Sequence, residues 1–237
     1  EVIDKLITER EGIYVDATLG CGGHTHEILR RTDSVVVGID LDLEQIKVAR
    51  RINREYTGRF IPVNSNYRMM DSFIGRNVNG VLFDLGYSSF QLDDPTRGFS
   101  YRSKGPLDMR YRRSGLSAVD VLKEYSEDEI ADILYYYGGE RQSRRIAAKI
   151  KSEQPETTEE LALLVRKSVS RKRGHKHLGK VFQALRIAVN QEFDNLRIGI
   201  ESAFRILNSN GRLVFITYHS MEEKLVLEVV NNLKMTF

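Results

Sequence analysis

The feature that most constrains this chain is the junction at Gly20-Cys21-Gly22-Gly23-His24. Ahead of it runs Ile13-Tyr14-Val15-Asp16-Ala17-Thr18-Leu19, a short apolar and β-branched stretch; after it comes an amphipathic segment with Ile28 and Leu29 on its apolar side. The order is strand, glycine turn, helix. Glycines in such a turn let the backbone take positive φ and approach a ligand closely. The helix N-terminus beyond them offers N–H groups that have no intrahelical partner. A second apolar run, Val35-Val36-Val37-Gly38-Ile39, ends in Asp40. An acidic residue at the tip of the second strand is where an open α/β sheet meets ribose hydroxyls. The pattern describes a βαβ unit that holds an adenosine-containing small molecule.

Glycine spacing bears on which molecule that is. A dinucleotide fingerprint reads G-x-G-x-x-G. Here Gly20, Gly22 and Gly23 give G-x-G-G followed by a histidine, with Asp16 ahead of them at the end of the strand. This D-x-x-x-G-x-G pattern resembles the nucleoside-binding loop of S-adenosylmethionine-dependent methyltransferases. A dinucleotide site, or a glycine turn that merely connects two elements, is the alternative.

Composition narrows the class further. A chain of 237 residues with 41% hydrophobic content can build one large α/β domain, or one domain carrying an insertion. The formal charge is only +3, so a basic partner surface has to come from local clustering. Cys21 is the only cysteine, which excludes an intrachain disulfide and a multi-cysteine metal site; it reads as a small loop residue rather than a nucleophile. No H-x-x-x-H or carboxylate pair has metal spacing, so no metal is expected. No apolar run reaches the roughly 18 residues of a membrane span, and no signal peptide is visible. The expectation is a soluble, reducing compartment: the cytoplasm, or the mitochondrial matrix in a eukaryote.

After Asp40 the βα rhythm continues. A helical pattern covers Leu43 to Tyr56, a third strand Arg59 to Val63, and Asn64-Ser65-Asn66-Tyr67 closes it. In this fold class the third strand's tip lies beside the nucleobase, so Tyr67 is a candidate to stack on adenine. A fourth strand, Val81-Leu82-Phe83-Asp84, has an acidic tip that falls at the topological switch point. Past it, from Ser117 to Val169, helical patterns predominate, with Ser117 or Ser126 and Thr157 or Thr158 as N-caps. They predict a helical insertion, since a structureless loop of that length would be suspect.

Two stretches of the insertion point to nucleic acid. Arg166, Lys167, Arg171, Lys172, Arg173, Lys176, Lys180 and Arg186 fall in a span without acidic residues. Such a run is either a solvated face or the footprint of a phosphate backbone. Arg97, Arg102, Lys104, Arg110, Arg112 and Arg113 interleave with Phe99, Tyr101 and Tyr111, and aromatics among cations suit stacked single-stranded bases. Val181 to Leu207 then reads as one long helix stopped by Asn208-Ser209-Asn210-Gly211. A fifth strand, Arg212 to Thr217, ends in Tyr218-His219-Ser220. That histidine and serine lack triad partners, so hydrolase chemistry is not expected.

Six blocks in order now carry a specific resemblance. They are Asp16-x-Thr18-x-Gly20-x-Gly22-Gly23-His24, Asp84-Leu85-Gly86-x-Ser88-Ser89-x-Gln91-Leu92-Asp93, Arg97-Gly98-Phe99-Ser100, Gly105-Pro106-Leu107-Asp108-Met109-Arg110, Phe182-Gln183-Ala184-Leu185-Arg186-Ile187-x-Val189-Asn190 and His219-Ser220-x-Glu222. Over nearly the whole chain this resembles the RsmH (MraW) family, S-adenosylmethionine-dependent methyltransferases acting on cytosine N4 of small-subunit ribosomal RNA. The resemblance implies an α/β class I (Rossmann-like) methyltransferase core with a helical insertion. It implies cofactor contacts at Gly22, Gly23, His24, Asp40, Tyr67, Asp84 and Gln91, beside Gly20 of the loop. It implies ribosomal RNA of the small subunit, free or in the assembled subunit, as partner, and leaves the oligomeric state open, a homodimer included.

The chain departs from the family pattern in three places. It starts after the family's H-x-P-V block and stops before its arginine-rich C-terminal segment, so it looks truncated at both ends. The block around His175-Lys176-His177 has its histidine displaced and a glycine, Gly179, for a threonine. The expected division is a core at 1–96, an RNA-recognising insertion at 97–180 and the rest of the core at 181–237. For chemistry, the D/N-P-P-Y motif of many amino-methyltransferases is replaced by Asp84-Leu85-Gly86-Tyr87. Asp84 is then the first candidate near methyl and amine, with Ser88, Ser89 and Asp108 as secondary polar contacts. Asp84 has two open roles, holding the cofactor's amine or accepting a hydrogen bond from cytosine N4.

Overall fold

The computed structural model describes residues 1–169 and 174–234. By its internal contacts the chain divides into two units, Glu1–Ser88 with Phe193–Phe237, and Ser89–Glu192. The first unit begins with α1 (Val2–Leu6), β1 (Ile13–Asp16), α2 (Gly23–Arg31), β2 (Val35–Asp40), α3 (Leu43–Ile52), β3 (Phe60–Asn64) and β4 (Val78–Asp84). The second contains α4 (Ser89–Asp93), α5 (Ala118–Glu124), α6 (Glu127–Tyr136), α7 (Ser143–Glu153), α8 (Thr158–Ser168) and α9 (Gly174–Asn190). The chain returns to the first unit through α10 (Glu192–Ile206), β5 (Leu207–Ile216) and α11 (Ser220–Lys234).

Among the described residues, the five strands form one parallel sheet in the order β3-β2-β1-β4-β5. The chain moves outward from β1 through β2 to β3, then crosses to the other side of β1 for β4. Strand order therefore reverses between β1 and β4, and ligands bind outside the carboxyl ends at such a reversal. Strands covered on both faces carry continuous apolar runs, and Val36, Val37 and Ile39 of β2 and Val81, Leu82 and Phe83 of β4 are buried. The one phenol in β1 is also fully buried, and its polar end is satisfied. Tyr14 Oη donates to Glu9 O at 2.9 Å and accepts from the N–H groups of Thr8 and Glu9 at 3.0 and 3.1 Å. Burying side chains of this size contributes about 1.5–3 kcal/mol each. An exposed pair such as Lys47–Glu44 contributes at most about 1 kcal/mol, so apolar burial holds the sheet.

Two sequence expectations change here. The predicted helix over 181–207 is two helices, α9 and α10, separated at Gln191, whose φ is +50°. The cause lies just before it. Asn190 donates to Met109 O at 2.7 Å and accepts from Tyr111 N–H at 2.8 Å, which ties the end of α9 to a loop of the second unit. The predicted stop at 208–211 lies inside β5. Five steps along β5, from Leu207 to Arg212, lie against only two along β4, from Val78 to Gly80, so the polar residues form a bulge within the strand.

The second unit has its own core, including Leu107, Met109, Ile130, Leu134, Ile146 and Leu161. Both serines expected as caps act as such. Ser117 caps α5 in a capping box with Asp120, and Ser126 caps α6 with Glu129. Thr157, not Thr158, caps α8 with Glu160; Thr158 instead donates through Oγ1 to Ser103 O at 2.6 Å.

Candidate functional site

The first unit's site grows from three strand tips. β1 ends at Asp16, and the loop to α2 is held on both sides. Gly20 N–H donates to Asp40 Oδ2 at 2.8 Å at the tip of β2. Thr18 Oγ1 accepts from Asp84 N–H at 2.6 Å at the tip of β4. Asp40 Oδ1 also accepts from Asp42 N–H at 2.8 Å, which leaves each carboxylate oxygen one further acceptor position. Asp40 thus shapes the loop and retains acceptor positions beyond it.

Within the loop, Gly20 and Gly22 have φ of +53° and +86°. A Cβ on Gly22 would lie 2.7 Å from Asn53 Nδ2 and 3.0 Å from Ala49 Cβ, so this glycine serves the close approach of the loop to α3. At Gly23 a Cβ would meet nothing within 4 Å. That side of the loop is open. Gly22 is the N-cap of α2 and supplies no side-chain cap, so the helix's first N–H groups remain available. Cys21 sits in the same loop, and burial, then Asp40 and Asp42, push its thiol up. A thiol held protonated is a poor nucleophile.

Charge defines the site's preference. Asp16, Asp40 and Asp84 end three strands that lie together, β1, β2 and β4. Asp16 is fully buried; its Oδ2 accepts from Thr25 Oγ1 at 2.8 Å, and its Oδ1 is buried with no protein partner. Burial raises the Asp16 carboxyl, against the opposing effect of Thr25. Burial likewise raises Asp40, to about 6. Asp84 Oδ2 lies 3.6 Å from His24 Nδ1, and Asp84 Oδ1 accepts from Tyr218 Oη at 2.9 Å. Three clustered carboxylates oppose a pyrophosphate, which rules against the dinucleotide alternative. They suit a ligand that carries positive charge and hydroxyl donors. The orphan oxygen of Asp16, the open side at Gly23 and the acceptors on Asp40 fit S-adenosylmethionine, with its sulfonium, amine and ribose.

The remaining candidates have the following surroundings within their own units. Tyr67 packs edge-on against Phe83 at 5.5 Å and lies over Gly199, where a Cβ would be 2.5 Å from its ring, so part of the ring is committed to the core. Ser88 closes the first unit, whereas Ser89 opens α4 of the second, in which Gln91 is buried. Asp108 is also in the second unit and is not a free polar contact. Its carboxylate accepts from Arg110 Nε and Nη2, both at 2.8 Å. Burial raises this carboxyl, but the Arg110 hydrogen bonds outweigh that and leave it below its ordinary range.

Part of the strip from Arg97 to Arg113 is taken up internally. Arg97 is buried, donates to the carbonyls of Arg110 and Tyr111 at 3.0 and 3.1 Å, and sits over the Phe99 ring. Phe99 stacks on Tyr111 at 5.5 Å, and Tyr101 meets Phe182 edge-on at 5.4 Å. Arg97 and these rings pack on one another in a folded-back loop, while Arg102, Lys104, Arg112 and Arg113 stay exposed. Arg186 is buried too, paired with Glu192 at 2.8 and 3.0 Å. Of the basic run, Arg166, Lys167 and Lys176 are exposed, while Arg171, Lys172 and Arg173 lie outside the described residues.

Sequence reasoning gave no role to Thr18 and Tyr218. Thr18 was visible as the polar residue inside an apolar run, and Tyr218 as the aromatic that follows β5 at the level of Asp84. Among the described residues no group of three or more His, Cys, Asp or Glu is arranged to hold a metal, and no helix is long and apolar enough to cross a membrane.

A parallel sheet reversing between β1 and β4, with a glycine loop and acidic strand tips at the reversal, defines a class I methyltransferase core. The sequence comparisons go further. Residues 1–236 match the MraW methylase family. The ribosomal RNA small subunit methyltransferase H of Carboxydothermus hydrogenoformans is 45% identical over 95% of this chain and 76% of its own length. The proteins of that name from Zymomonas mobilis and Clostridium botulinum are 40% and 42% identical, again over 95% of this chain, and over 70% and 77% of their own lengths. A solved structure, a putative rRNA-methylase from Clostridium thermocellum, overlays 36% of this chain and 47% of that one at 26% identity, with a TM-score of 0.33. The chain belongs to the MraW methylase family.

Proposed function

We propose that this protein transfers a methyl group from S-adenosylmethionine to the exocyclic N4 of a cytidine in small-subunit ribosomal RNA. The observation that carries the cofactor assignment is the set of carboxylates at the tips of β1, β2 and β4, one of them with a buried unpartnered oxygen. Family membership and the relatives named as small-subunit methyltransferases support the substrate. S-adenosylmethionine, when bound, supplies an electrophilic methyl on a sulfonium. Asp40 accepts from the ribose hydroxyls, Gly20, Gly22 and Gly23 bring the backbone close, and Asp16 offers its orphan oxygen to a donor.

Asp84 is the group nearest to both partners in this reading. Cytosine N4 is a weak nucleophile because its lone pair is delocalised into the ring. A carboxylate accepting from the N4 hydrogen favours the lone pair's turn toward the methyl, and takes up or relays the proton that leaves. Positioning contributes more, because carbon and nitrogen must meet in line at about 3 Å. The exposed cations Arg166, Lys167 and Lys176 serve RNA binding, and the protein acts where bacterial-type ribosomes are assembled, in the cytoplasm.

The test is transfer of labelled methyl to small-subunit ribosomal RNA, free and in particles, beside protein and free-nucleoside acceptors. Label in RNA supports the proposal. Tight cofactor binding with no transfer to any RNA would make the protein an RNA-binding assembly factor instead.

A further inference from the structure

Tyr218 lies two residues past Ile216, the register partner of Asp84, on the carboxyl side of β5. An aromatic in such a place is commonly either buried or loose in solvent. This one is 70% exposed and yet held at both ends. Its hydroxyl donates to Asp84 Oδ1 at 2.9 Å, and its backbone N–H donates to Glu222 Oε2, also at 2.9 Å. Glu222 is buried and is fixed in turn by His219. The Glu222 N–H donates to His219 Nδ1 at 3.3 Å, and His219 Nε2 stands 3.0 Å from Glu222 Oε1. The His219-Ser220-x-Glu222 block therefore braces the residue that precedes it.

A ring whose motion is already restricted and whose surface is open binds a flat partner without further ordering cost. Enzymes that modify a nucleobase extrude it from the stack and hold it against aromatic or apolar side chains. We propose that Tyr218 is the specificity and positioning residue for the target nucleotide. Its ring stacks on the extruded base, and its hydroxyl orients the Asp84 carboxylate toward the exocyclic amine. This rests on the placement of Asp84 at the transfer site. Burial and the neighbouring Asp84 carboxylate both raise the phenol's pKa, which keeps it a donor.

The test uses the full protein with small-subunit ribosomal RNA as acceptor, and the variants Tyr218→Phe, Tyr218→Leu and Tyr218→Ala. Cofactor affinity is measured separately by calorimetry. Leu and Ala remove the stacking face and should raise KM for RNA roughly tenfold or more, with the cofactor Kd unchanged. Phe keeps the face, so its KM should stay near wild type, while kcat falls severalfold because Asp84 has lost its hydroxyl donor. Leu keeps bulk, so the experiment survives if Ala folds poorly. Wild-type KM in both Leu and Ala would overturn the proposal. So would a cofactor Kd that rises in step with KM, which would make Tyr218 part of the cofactor pocket. The KM pattern is read on whichever nucleotide the wild type labels. Failure of the cytidine assignment is therefore distinct from failure of Tyr218.

Discussion

The carboxyl of Asp40 ties cofactor binding to pH in a way that can be worked out from its surroundings. Its two oxygens each accept a backbone N–H, from Gly20 and Asp42, yet burial dominates and lifts its pKa to about 6. Ribose hydroxyls donate to the ionised form, so binding must draw on that fraction of the protein. Near pH 7.5 the group is almost wholly ionised; near pH 5 only about a tenth is, and apparent affinity should drop about tenfold. Stability runs the other way. The folded carboxyl keeps its proton up to about 6, while the unfolded one loses it near 3.8. Between those values the folded state binds more protons, so this group alone lowers stability as pH rises through the window, with no further change above it. Calorimetric titration of S-adenosylmethionine from about pH 5 to 7.5 measures the first effect, with Asp40→Asn as the control. Asparagine removes the charged acceptor, worth about 1.5–3 kcal/mol. Its amide nitrogen also faces one of two N–H donors and cannot accept from it. The variant should bind weakly and without the pH slope. A wild-type Kd that is flat over this range, or an equal slope in the variant, would refute the role of Asp40.

Three further outcomes are expected. Gly22→Ala forces a side chain into a left-handed backbone against Asn53 and Ala49, and should cost about 1–3 kcal/mol of stability in denaturant melts. Gly23→Ala, with open space around it, should leave stability within about 1 kcal/mol but weaken the cofactor in calorimetry. Asp84→Asn should mainly lower kcat, because the role proposed for its carboxylate lies at cytosine N4, whereas a raised cofactor Kd with kcat unchanged would show that it holds the cofactor's amine instead. Reversing Arg171, Lys172 and Arg173 to glutamate should lower the slope of log affinity for RNA against log salt by about one per lost phosphate contact, and an unchanged slope would make the run a solvated face.

How far the chain could be read without its structure depended on whether a signal was local. The glycine loop, the apolar strands and the acidic tips at Asp40 and Asp84 are short-range patterns, and the parallel sheet with its reversal beside β1 follows from them. The caps Ser117, Ser126 and Thr157 were legible for the same reason. Long-range pairing was not. Nothing near Asn190 in sequence announces that Met109 and Tyr111 will take its side chain and end α9. Cation–aromatic alternation from Arg97 to Tyr111 looks the same whether it faces RNA or folds onto itself, and for Arg97 the carbonyls it reaches are visible only in the structure. The Arg110 pairing of Asp108 closes a local ring two residues long. At the site, Tyr218 and Thr18 gain their roles from meeting Asp84 across the sheet, which spacing along the chain does not reveal.

The proposed reaction is methyl transfer to cytosine N4 from a cofactor held at the tips of β1, β2 and β4. Its most direct measurement is mass analysis of nucleosides from small-subunit ribosomal RNA incubated with the protein and isotopically labelled S-adenosylmethionine, with Asp40→Asn run in parallel at limiting cofactor. Label is expected in N4-methylated cytidine, and much less of it with the variant. Label confined to ring carbons, ribose oxygens or another base, or equal labelling by the variant, would contradict it.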